Sequence, residues 1–406
     1  EDTARVFKEA FYIAGTGRPG PVLIDIPMDV QKAVIDFEYP EKCEIRSYKP
    51  TTKGNYVQVR RVMAALEEAE KPLICIGGGV FAAHAENEIR ELADLMQIPV
   101  ITTMMGISVF PDDDQLFCGM IGTHGVKMAN AAVNECDVLF LVGARVGDRA
   151  VKTPLALEKT TKIIHIDIDP AEIGKNIGAD LPLVGDAKLV LQQMTELAKP
   201  MKHDEWIAHI KTLGGERKYV EPAKGTVNPR VFIDRLAKKM PANVTVVADV
   251  GQNQIWTCTE YKFRKEGRLL TSGGMGTMGY SVPAAIGAKM ADNSRATVAI
   301  CGDGAFQMSF MELATAVQFG VDIKVVVMTN NRLGMVRELQ TNGYHDRLTA
   351  VFLDGSPDFI KLAEAYGIPA MRVYDDDTME KGVEMLAEHK GICLVEVVVD
   401  KDMPTL

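Results

Sequence analysis

The sequence predicts an α/β protein with two doubly wound parallel sheets and one additional αβ unit near its N-terminal end. Apolar runs of strand length alternate with amphipathic helical segments through most of the 406 residues. Several runs end abruptly in glycine-rich turns, as at residues 77–79 and 302–304. Crossover connections of this kind place strands side by side and in parallel, with helices on both faces of the sheet.

The first 30 residues read as one helix over residues 4–14 and one buried strand over residues 21–26, joined by a glycine- and proline-rich loop. A single αβ unit cannot bury its apolar faces alone. We therefore expect it to be either the end of a domain that this chain does not contain or an arm packed on the remaining chain. Residues 31–54 are polar and irregular, which predicts a linker.

Residues 55–198 form the first predicted α/β domain, and several of its loops suit a dinucleotide. Residues 77–79 permit a close backbone approach. The side chains of Arg145 and Arg149 suit a pyrophosphate, and either Asp167 or Asp186 suits a ribose or adenine group. Each feature alone also fits a plain turn or a solvated side chain. The G-x-G-x-x-G pattern typical of NAD sites does not occur.

Residues 199–227 read as a charged crossover, and residues 228–406 as a second α/β domain with six strands. Asn228 precedes Pro229, a combination typical of a helix N-terminus. The stretch 300–335 then follows one pattern: a strand, Gly-Asp-Gly, a helix that includes Met311 to Val317, a second strand, and Asn-Asn.

The polar residues of that stretch predict a metal–diphosphate site. Asp303 offers a carboxylate and Asn330 an amide oxygen, both after strands whose carboxyl ends meet at one edge of the sheet. Mg²⁺ takes a few protein oxygens and completes its octahedron with phosphate and water. The alternative is an ordinary turn between a strand and a helix, capped by an Asp or Asn side chain.

Composition excludes several classes of function. The net charge of −10 argues against a nucleic-acid partner. The chain has no apolar run of membrane-spanning length. Its seven cysteines form no C-x-x-C pair and lie mostly in apolar runs, which is typical of reduced core residues in a cytoplasmic protein.

Four segments together resemble the catalytic subunits of the acetohydroxyacid (acetolactate) synthase family. They are GDG…NN, GRPGPVLIDIP at 17–27, VGQNQIW at 250–256 and TSGGMGTMGYSVPAAIGAK at 271–289. HIDIDPAEIGKN at 165–176 and GTHG at 122–125 are similar to the same family's middle domain, which binds FAD. The resemblance implies three domains, of which residues 1–30 would be the remnant of an N-terminal pyrimidine-binding domain. Residues 55–198 would be the middle domain and residues 228–406 the diphosphate-binding domain.

The resemblance implies a thiamine diphosphate (ThDP) site with Mg²⁺ bound by Asp303, Asn330 and the backbone carbonyl of Arg332. It gives catalytic roles to Met278, Gln252, Met335 and Leu339. A core position is the alternative for Met278, and simple helix packing is the alternative for Leu339. The implied ThDP-binding residues are Val250, Gly251, Gln252, Asn253, Gly276, Thr277, Met278, Gly302, Asp303, Gly304, Ala305, Asn330, Leu333, Gly334 and Met335.

The resemblance also implies a structural FAD. For His124 the alternative is an ordinary loop histidine. The implied FAD-binding residues are Arg18, Gly78, Met104, Met105, Thr123, His124, Gly143, Arg145, Gly147, Asp167, Ile168, Asp186 and Ala187.

The implied activity is that of a transferase: decarboxylation of pyruvate and ligation to a second 2-keto acid, pyruvate or 2-ketobutyrate. The implied assembly is a homodimer or homotetramer with active sites between subunits, and a small regulatory subunit is a further implied partner. Asn253 and Leu339 stand where the family usually has histidine and often tryptophan. The glutamate that activates the cofactor in this family has no counterpart here, so we expect this polypeptide alone to be inactive. Rival interpretations are pyruvate oxidase, glyoxylate carboligase, a 2-keto acid decarboxylase or a non-catalytic nucleotide-binding module.

Overall fold

The structure is a computed structural model that describes residues 2–215 and 219–406. Glu1, in the predicted N-terminal unit, and residues 216–218, in the predicted crossover, lie outside the described residues. Internal contacts divide the chain into two compact units, residues 1–99 with 134–206 and residues 100–133 with 207–406. Within the described part of the chain, every helix is too short or too polar to cross a membrane.

The first sheet has six strands in the order β3-β2-β1-β4-β5-β6. The pairs β2–β3, β1–β4, β4–β5 and β5–β6 run parallel. All five residues of β1 and of β4 are buried, as expected for central strands covered on both faces. The strands are β1 (Pro72–Ile76), β2 (Val100–Thr102), β3 (Phe117–Met120), β4 (Val138–Val142), β5 (Lys162–Asp167) and β6 (Leu181–Val184).

Among the helices of the N-terminal half, two begin after residues whose side chains cap the helix. Asn55 accepts hydrogen bonds from the backbone N–H groups of Val57 and Gln58 at the start of α3. Asp186 accepts one from Leu189 at the start of α8. The helices of the N-terminal half are α1 (Thr3–Gly15), α2 (Met28–Lys32), α3 (Tyr56–Glu68), α4 (Gly79–Ala82), α5 (Glu86–Met96), α6 (Lys127–Glu135), α7 (Pro154–Leu157), α8 (Ala187–Thr195) and α9 (Asp204–Thr212), and residues Met104–Gly106 form a 3₁₀ turn.

The second sheet also has six strands, in the order β11-β12-β10-β9-β7-β8, and all its pairs run parallel. Together the two sheets confirm the predicted fold class of two doubly wound parallel sheets. The strands are β7 (Thr245–Ala248), β8 (Arg268–Thr271), β9 (Thr297–Gly302), β10 (Lys324–Thr329), β11 (Ala370–Val373) and β12 (Cys393–Val398).

Helices cover both faces of the second sheet. Successive residues of each strand point to opposite faces, so they pack in two different cores. Val246 of β7 packs with Phe232 of α10 in one core. Val247, its neighbour, packs with Val282 of α12 in the other. The helices of this half are α10 (Pro229–Lys239), α11 (Gln252–Glu260), α12 (Ser281–Ala291), α13 (Asp303–Gln307), α14 (Leu313–Gln318), α15 (Gly334–Tyr344), α16 (Phe359–Ala365) and α17 (Asp376–Glu388), with a 3₁₀ turn at Phe310–Glu312.

Two predicted elements differ from the structure. The strand predicted over residues 21–26 is wrong: the segment is not a strand, and Leu23 is 88% exposed. A strand needs a neighbour to satisfy its backbone groups, and none runs beside this segment in the described residues. The helix predicted after Asp303 is broken into α13, the 3₁₀ turn and α14, because the backbone of Ser309 is not helical (φ −144°, ψ 11°).

Candidate active site

The carboxyl ends of β7, β9 and β10 form the centre of the candidate site. The chain leaves β7 toward β8 at one edge of the sheet and returns to β9 on the opposite side of β7. Loops separate at such a reversal and leave a crevice, which is where open α/β sheets bind ligands. Both residues singled out for the metal, Asp303 and Asn330, lie at this crevice.

Asp303 begins α13 directly after β9, and the residue is 2% exposed. Three neutral backbone donors hold its carboxylate. The N–H of Gly304 donates to Oδ1 at 2.8 Å, and those of Asn330 and Asn331 donate to Oδ2 at 3.2 and 2.6 Å. Burial raises the pKa of the Asp303 carboxyl to about 6, although these hydrogen bonds act to lower it. A divalent cation beside the carboxylate would stabilise its ionised form, so the donor set fits a metal.

The turn after β10 brings a second oxygen to the same place. Asn331 adopts a left-handed conformation with φ 54°, which folds the chain back on itself. The side-chain Oδ1 of Asn330 accepts from the N–H of Arg332 at 3.0 Å. Arg332 itself is anchored by Asp354 at 2.9 Å and by the ring of Phe352. The amide oxygen of Asn330 is therefore held in place before any ligand binds.

In residues 2–215 and 219–406, no group of three or more His, Cys, Asp or Glu side chains is arranged to hold a metal. An ion bound by Asp303 and Asn330 would complete its coordination with oxygens of a phosphate and of water, as Mg²⁺ commonly does. The arrangement thus suits a metal–diphosphate pair better than a metal bound by the protein alone.

Gln252 opens α11 on the far side of the crevice. Gly251 before it has φ 145°, a conformation that favours glycine. The side-chain oxygen of Gln252 accepts from Nδ2 of Asn330 at 3.2 Å. Gly334 is required at the start of α15, because a Cβ there would lie 1.8 Å from this oxygen.

Asn253 ties two neighbouring strands together at their carboxyl ends. Its Nδ2 donates to the carbonyl of Asp249 after β7 at 2.8 Å, and to that of Ile300 in β9 at 3.1 Å. Its Oδ1 lies 3.3 Å from where a Cβ of Gly302 would stand. Asn253 therefore maintains the base of the crevice.

Asp249 is a functional residue that sequence reasoning missed. It is 1% exposed, and its carboxylate accepts from the N–H groups of Gly279 at 3.0 Å and Ser281 at 2.8 Å. These bonds fix the turn that carries Met278, whose Cε lies 3.4 Å from the Cβ position of Gly304. An aspartate immediately after an apolar run was the available signal in the sequence.

The resulting cleft offers about 130 Å³ to the centres of water-sized molecules. Most of the predicted ThDP residues line it, together with Trp256, Met328, Val336 and Val399, which were not predicted. Gly276, Thr277 and Leu339 do not line it, and Leu339 is 62% exposed on α15. The lining residues are Val250, Gly251, Gln252, Asn253, Trp256, Met278, Gly302, Asp303, Gly304, Ala305, Met328, Asn330, Arg332, Leu333, Gly334, Met335, Val336 and Val399.

Several residues predicted for FAD lie at the carboxyl ends of β1, β4 and β5. Gly79 and Gly143 approach so closely that a Cβ on Gly79 would lie 2.7 Å from the Cα of Gly143. Gly78 lies beside that contact, and Ala187 is the first residue of α8. Asp167 accepts from the N–H of Asp169 at 2.9 Å, and burial raises the pKa of its carboxyl.

Other predicted FAD residues have protein partners or exposed positions. Arg18 pairs with Glu172 at 2.8 Å and with Asp169 at 3.2 Å. Arg145 is exposed in the turn after β4, close to Gly147. The others lie in nearby turns or in the segment 100–133: Ile168, Met104, Met105, Thr123 and His124.

Comparison with known proteins gives two family matches. Residues 59–194 match the central domain of thiamine pyrophosphate enzymes, and residues 249–397 match their C-terminal TPP binding domain. The probable acetolactate synthase large subunit of Methanocaldococcus jannaschii is 40% identical over 98% of this chain and 70% of the relative. The large subunits of Buchnera aphidicola and Corynebacterium glutamicum are 38% and 40% identical, over 94% and 92% of this chain. The chain spans 68% and 61% of those two relatives.

Proposed function

This chain belongs to the acetolactate synthase large-subunit family of thiamine pyrophosphate enzymes, and from that premise we propose the reaction that its cleft serves. The protein joins two 2-keto acids: it decarboxylates pyruvate and ligates the remaining two-carbon unit to a second pyruvate or to 2-ketobutyrate. The products are the precursors of branched-chain amino acids. The observation that carries the proposal is the pairing of Asp303 with Asn330 at the crevice of the second sheet.

In this proposal the cleft holds ThDP through Mg²⁺. Asp303, Asn330 and the carbonyl of Arg332 bind the ion, and the backbone of residues 302–305 lines the diphosphate. The raised pKa of Asp303 supports the assignment, because a buried carboxylate of this kind is stabilised by a cation. When bound, ThDP supplies the carbanion and the electron sink that decarboxylation requires.

The other lining residues orient the reactants and keep water out. Met278 lies against Gly304 and is held there by the turn that Asp249 fixes. Leu333 approaches Gly304 from another side, with its Cδ2 only 2.8 Å from the Cβ position of that glycine. Apolar walls of this kind limit competing protonation by water. Gln252 and Met335 complete the wall of the cleft.

We place a structural FAD with the residues that the family resemblance implies for it. The close approach of Gly79 to Gly143 and the carboxylate of Asp167 support a dinucleotide near the carboxyl ends of β1, β4 and β5, and Asp186, which caps α8 after β6, lies at the same edge of the sheet. Because ligation of two keto acids requires no net electron transfer, the flavin would stay oxidised during turnover. Reduction of the flavin by pyruvate, with acetyl phosphate or acetate formed, would identify a pyruvate oxidase instead.

The proposed assembly is a cytoplasmic homodimer or homotetramer with active sites between subunits, joined by a small regulatory subunit. Large apolar side chains that remain exposed in segments next to cleft residues support a covered surface: Met275, in the loop before Met278, is 90% exposed, and Met308, directly after α13, is 57% exposed. We keep the division into residues 1–30, 31–54, 55–198, 199–227 and 228–406 as the proposed domain organisation.

The direct test supplies pyruvate, ThDP and Mg²⁺ to the full-length gene product and measures acetolactate. Acetolactate formation that requires both ThDP and Mg²⁺ supports the proposal. Acetaldehyde as the main product would identify a decarboxylase, and condensation of glyoxylate in preference to pyruvate would identify a glyoxylate carboligase. Failure to bind ThDP at all would favour a non-catalytic nucleotide-binding module.

A further inference from the structure

The segment formed by residues 403–405 is held by two side chains of α11, Gln252 and Trp256, that also line the cleft. Nε2 of Gln252 donates to the carbonyl of Met403 at 2.9 Å and to Oγ1 of Thr405 at 3.2 Å. Nε1 of Trp256 donates to the carbonyl of Pro404 at 3.1 Å. Met403 and Thr405 are both buried. The segment is therefore in direct contact with a residue of the cofactor cleft.

These contacts fix which way the amide of Gln252 points. A backbone carbonyl can accept but cannot donate, so the nitrogen of Gln252 faces Met403 and the oxygen faces away from it. That oxygen accepts from Nδ2 of Asn330 at 3.2 Å. The amide oxygen of Asn330, the proposed metal ligand, is consequently on the opposite side, where it accepts from the N–H of Arg332.

Glu338 completes the chain of hydrogen bonds from α15. Its carboxylate accepts from the N–H of Thr405 at 2.7 Å and also from the Thr405 hydroxyl. A hydroxyl has one proton, so a Thr405 that donates to Glu338 presents its lone pairs to Nε2 of Gln252. The carbonyl of Thr405 is held in turn by Nη2 of Arg230 at 2.8 Å. Donor and acceptor roles agree along the whole path Glu338–Thr405–Gln252–Asn330.

We propose that Glu338 and Thr405 are positioning residues for the metal–diphosphate site, acting through the amide of Gln252 on the amide of Asn330. The inference rests on the proposed function, because it concerns the same cleft. Without the hydroxyl, Nε2 of Gln252 keeps only the carbonyl of Met403 as an acceptor, and the two amides are held less firmly in the orientation that directs Oδ1 of Asn330 toward the metal. Any rotation of these amides must be reversed when the cofactor binds, and this lowers the affinity for the cofactor.

The alternative is that Glu338 and Thr405 serve only to attach the segment 403–405. That role affects the thermal stability of the apoprotein but leaves the dependence of ThDP affinity on Mg²⁺ unchanged. Measurements of cofactor binding therefore separate the two roles.

The test compares Thr405→Val, which keeps the size of the side chain but removes the hydroxyl, with Thr405→Ser, which restores it. Glu338→Gln removes the carboxylate at the other end of the pair. Thr315→Val is the matched control, because Oγ1 of Thr315 donates to Glu312 at 2.7 Å in a similar threonine–glutamate pair that is not part of the cleft. All are made in the full-length protein, and folding is checked by circular dichroism.

Calorimetric titration with ThDP at several Mg²⁺ concentrations gives the result. We expect Thr405→Val to weaken ThDP binding about tenfold and to raise the Mg²⁺ concentration needed, since a broken buried hydrogen bond commonly costs that much. kcat at saturating cofactor should change less than the cofactor affinity. Thr405→Ser should bind nearly as the parent does, Glu338→Gln should resemble Thr405→Val, and Thr315→Val should be unchanged.

Parent-like Mg²⁺ dependence and ThDP affinity in folded Thr405→Val or, if that variant does not fold, in Glu338→Gln would overturn the inference. Including Asp303→Ala in the same series distinguishes a failure of this inference from a failure of the proposed function. If Asp303→Ala abolishes binding while both positioning variants bind normally, the inference alone is wrong. If Asp303→Ala also binds normally, the proposed metal site is wrong.

Discussion

The side-chain oxygen of Gln252 lies 1.8 Å from the position that a Cβ on Gly334 would occupy. The nitrogen Nδ2 of Asn330, which donates to that oxygen, lies 3.1 Å from the same position. A hydrogen bond between two cleft residues thus occupies the space that any other residue at 334 would need. The first turn of α15 and the orientation of the Asn330 amide are consequently linked by one steric requirement.

Replacing Gly334 with alanine should displace Gln252 and weaken ThDP binding by about tenfold or more, with a loss of about 1–3 kcal/mol in the free energy of unfolding. Calorimetry with ThDP and urea denaturation measure the two effects. Gly343→Ala is the control, because that glycine lies in the same helix and a Cβ added there would have no neighbour within 4 Å among the described residues. Alanine favours a helix over glycine, so the control should be neutral or slightly stabilising. Equal affinity in the two variants would contradict the steric link.

The ionised carboxylate of Asp303 should destabilise the cofactor-free protein at neutral pH. The pKa of Asp303 is about 6 in the folded state and 3.8 as the ordinary value of the group. Above pH 6 the group is ionised in both states, and folding carries the full penalty of burying the charge. Below about pH 4 it is protonated in both states, and the penalty vanishes. This contribution to stability is therefore gained as pH falls from 7 to 4.

A comparison with Asp303→Asn isolates the effect. The stability of the parent relative to the variant should rise by about 1–3 kcal/mol between pH 7.5 and pH 4.5. Urea denaturation of both cofactor-free proteins across that range measures the difference. Burial also raises the pKa of Asp112 to about 6, but that residue is present in both proteins and its contribution cancels. A constant difference across the range would show that Asp303 has an ordinary pKa.

Asn253 should be more important to stability than its polar side chain suggests. Asn253→Asp replaces a nitrogen that donates to the carbonyls of Asp249 and Ile300 with an oxygen that repels both. We expect a loss of about 2–4 kcal/mol in the free energy of unfolding at pH 7, measured by urea denaturation. Asn243→Asp, at a half-buried asparagine that donates to the carbonyl of Ser294 in a solvent-exposed hydrogen bond, should change stability by about 0.5 kcal/mol or less. Similar losses of stability in both variants would contradict the proposal that Asn253 ties the carboxyl ends of β7 and β9 together.

Leu339 should give weak selectivity for 2-ketobutyrate over pyruvate as the second substrate. It lies one turn after Met335 on α15 and is 62% exposed. Leu339 does not line the cleft, whereas a tryptophan ring at this position extends further and is expected to contact the additional methylene of 2-ketobutyrate, which is worth roughly 1–3 kcal/mol, or about 10–200-fold in selectivity. Competition between the two acceptors should show a shift toward 2-ketobutyrate in Leu339→Trp and none in Asn342→Trp, further along the same helix. An unchanged product ratio in Leu339→Trp, or strong 2-ketobutyrate preference in the parent, would remove Leu339 from acceptor choice.

The sequence predicted the second sheet well because its strands are mostly apolar runs, and because β9 ends at a glycine and β10 ends directly before an asparagine. The strand predicted over residues 21–26 was wrong. An apolar run indicates that a segment can be buried, but it does not show that another strand lies beside it. The strand β3 was missed, since its four residues include a glycine and alternate in burial.

The candidate site was likewise predicted only in part. The positions of Asp303 and Asn330 follow from local pattern, since each comes directly after a strand. The contact of Gln252 with Met403 and Thr405 joins residues that are far apart in the chain, and no local spacing encodes it. Asp249 was overlooked because its role is to receive the N–H groups of a turn 30 residues away.

We propose that Asp303 binds a divalent cation that in turn binds a diphosphate. Calorimetric titration of full-length protein with ThDP, with and without Mg²⁺, tests it for the parent and for Asp303→Ala. We predict that the parent binds ThDP only when Mg²⁺ is present and that Asp303→Ala shows no Mg²⁺-dependent binding. Unchanged Mg²⁺-dependent affinity for ThDP in Asp303→Ala would contradict it.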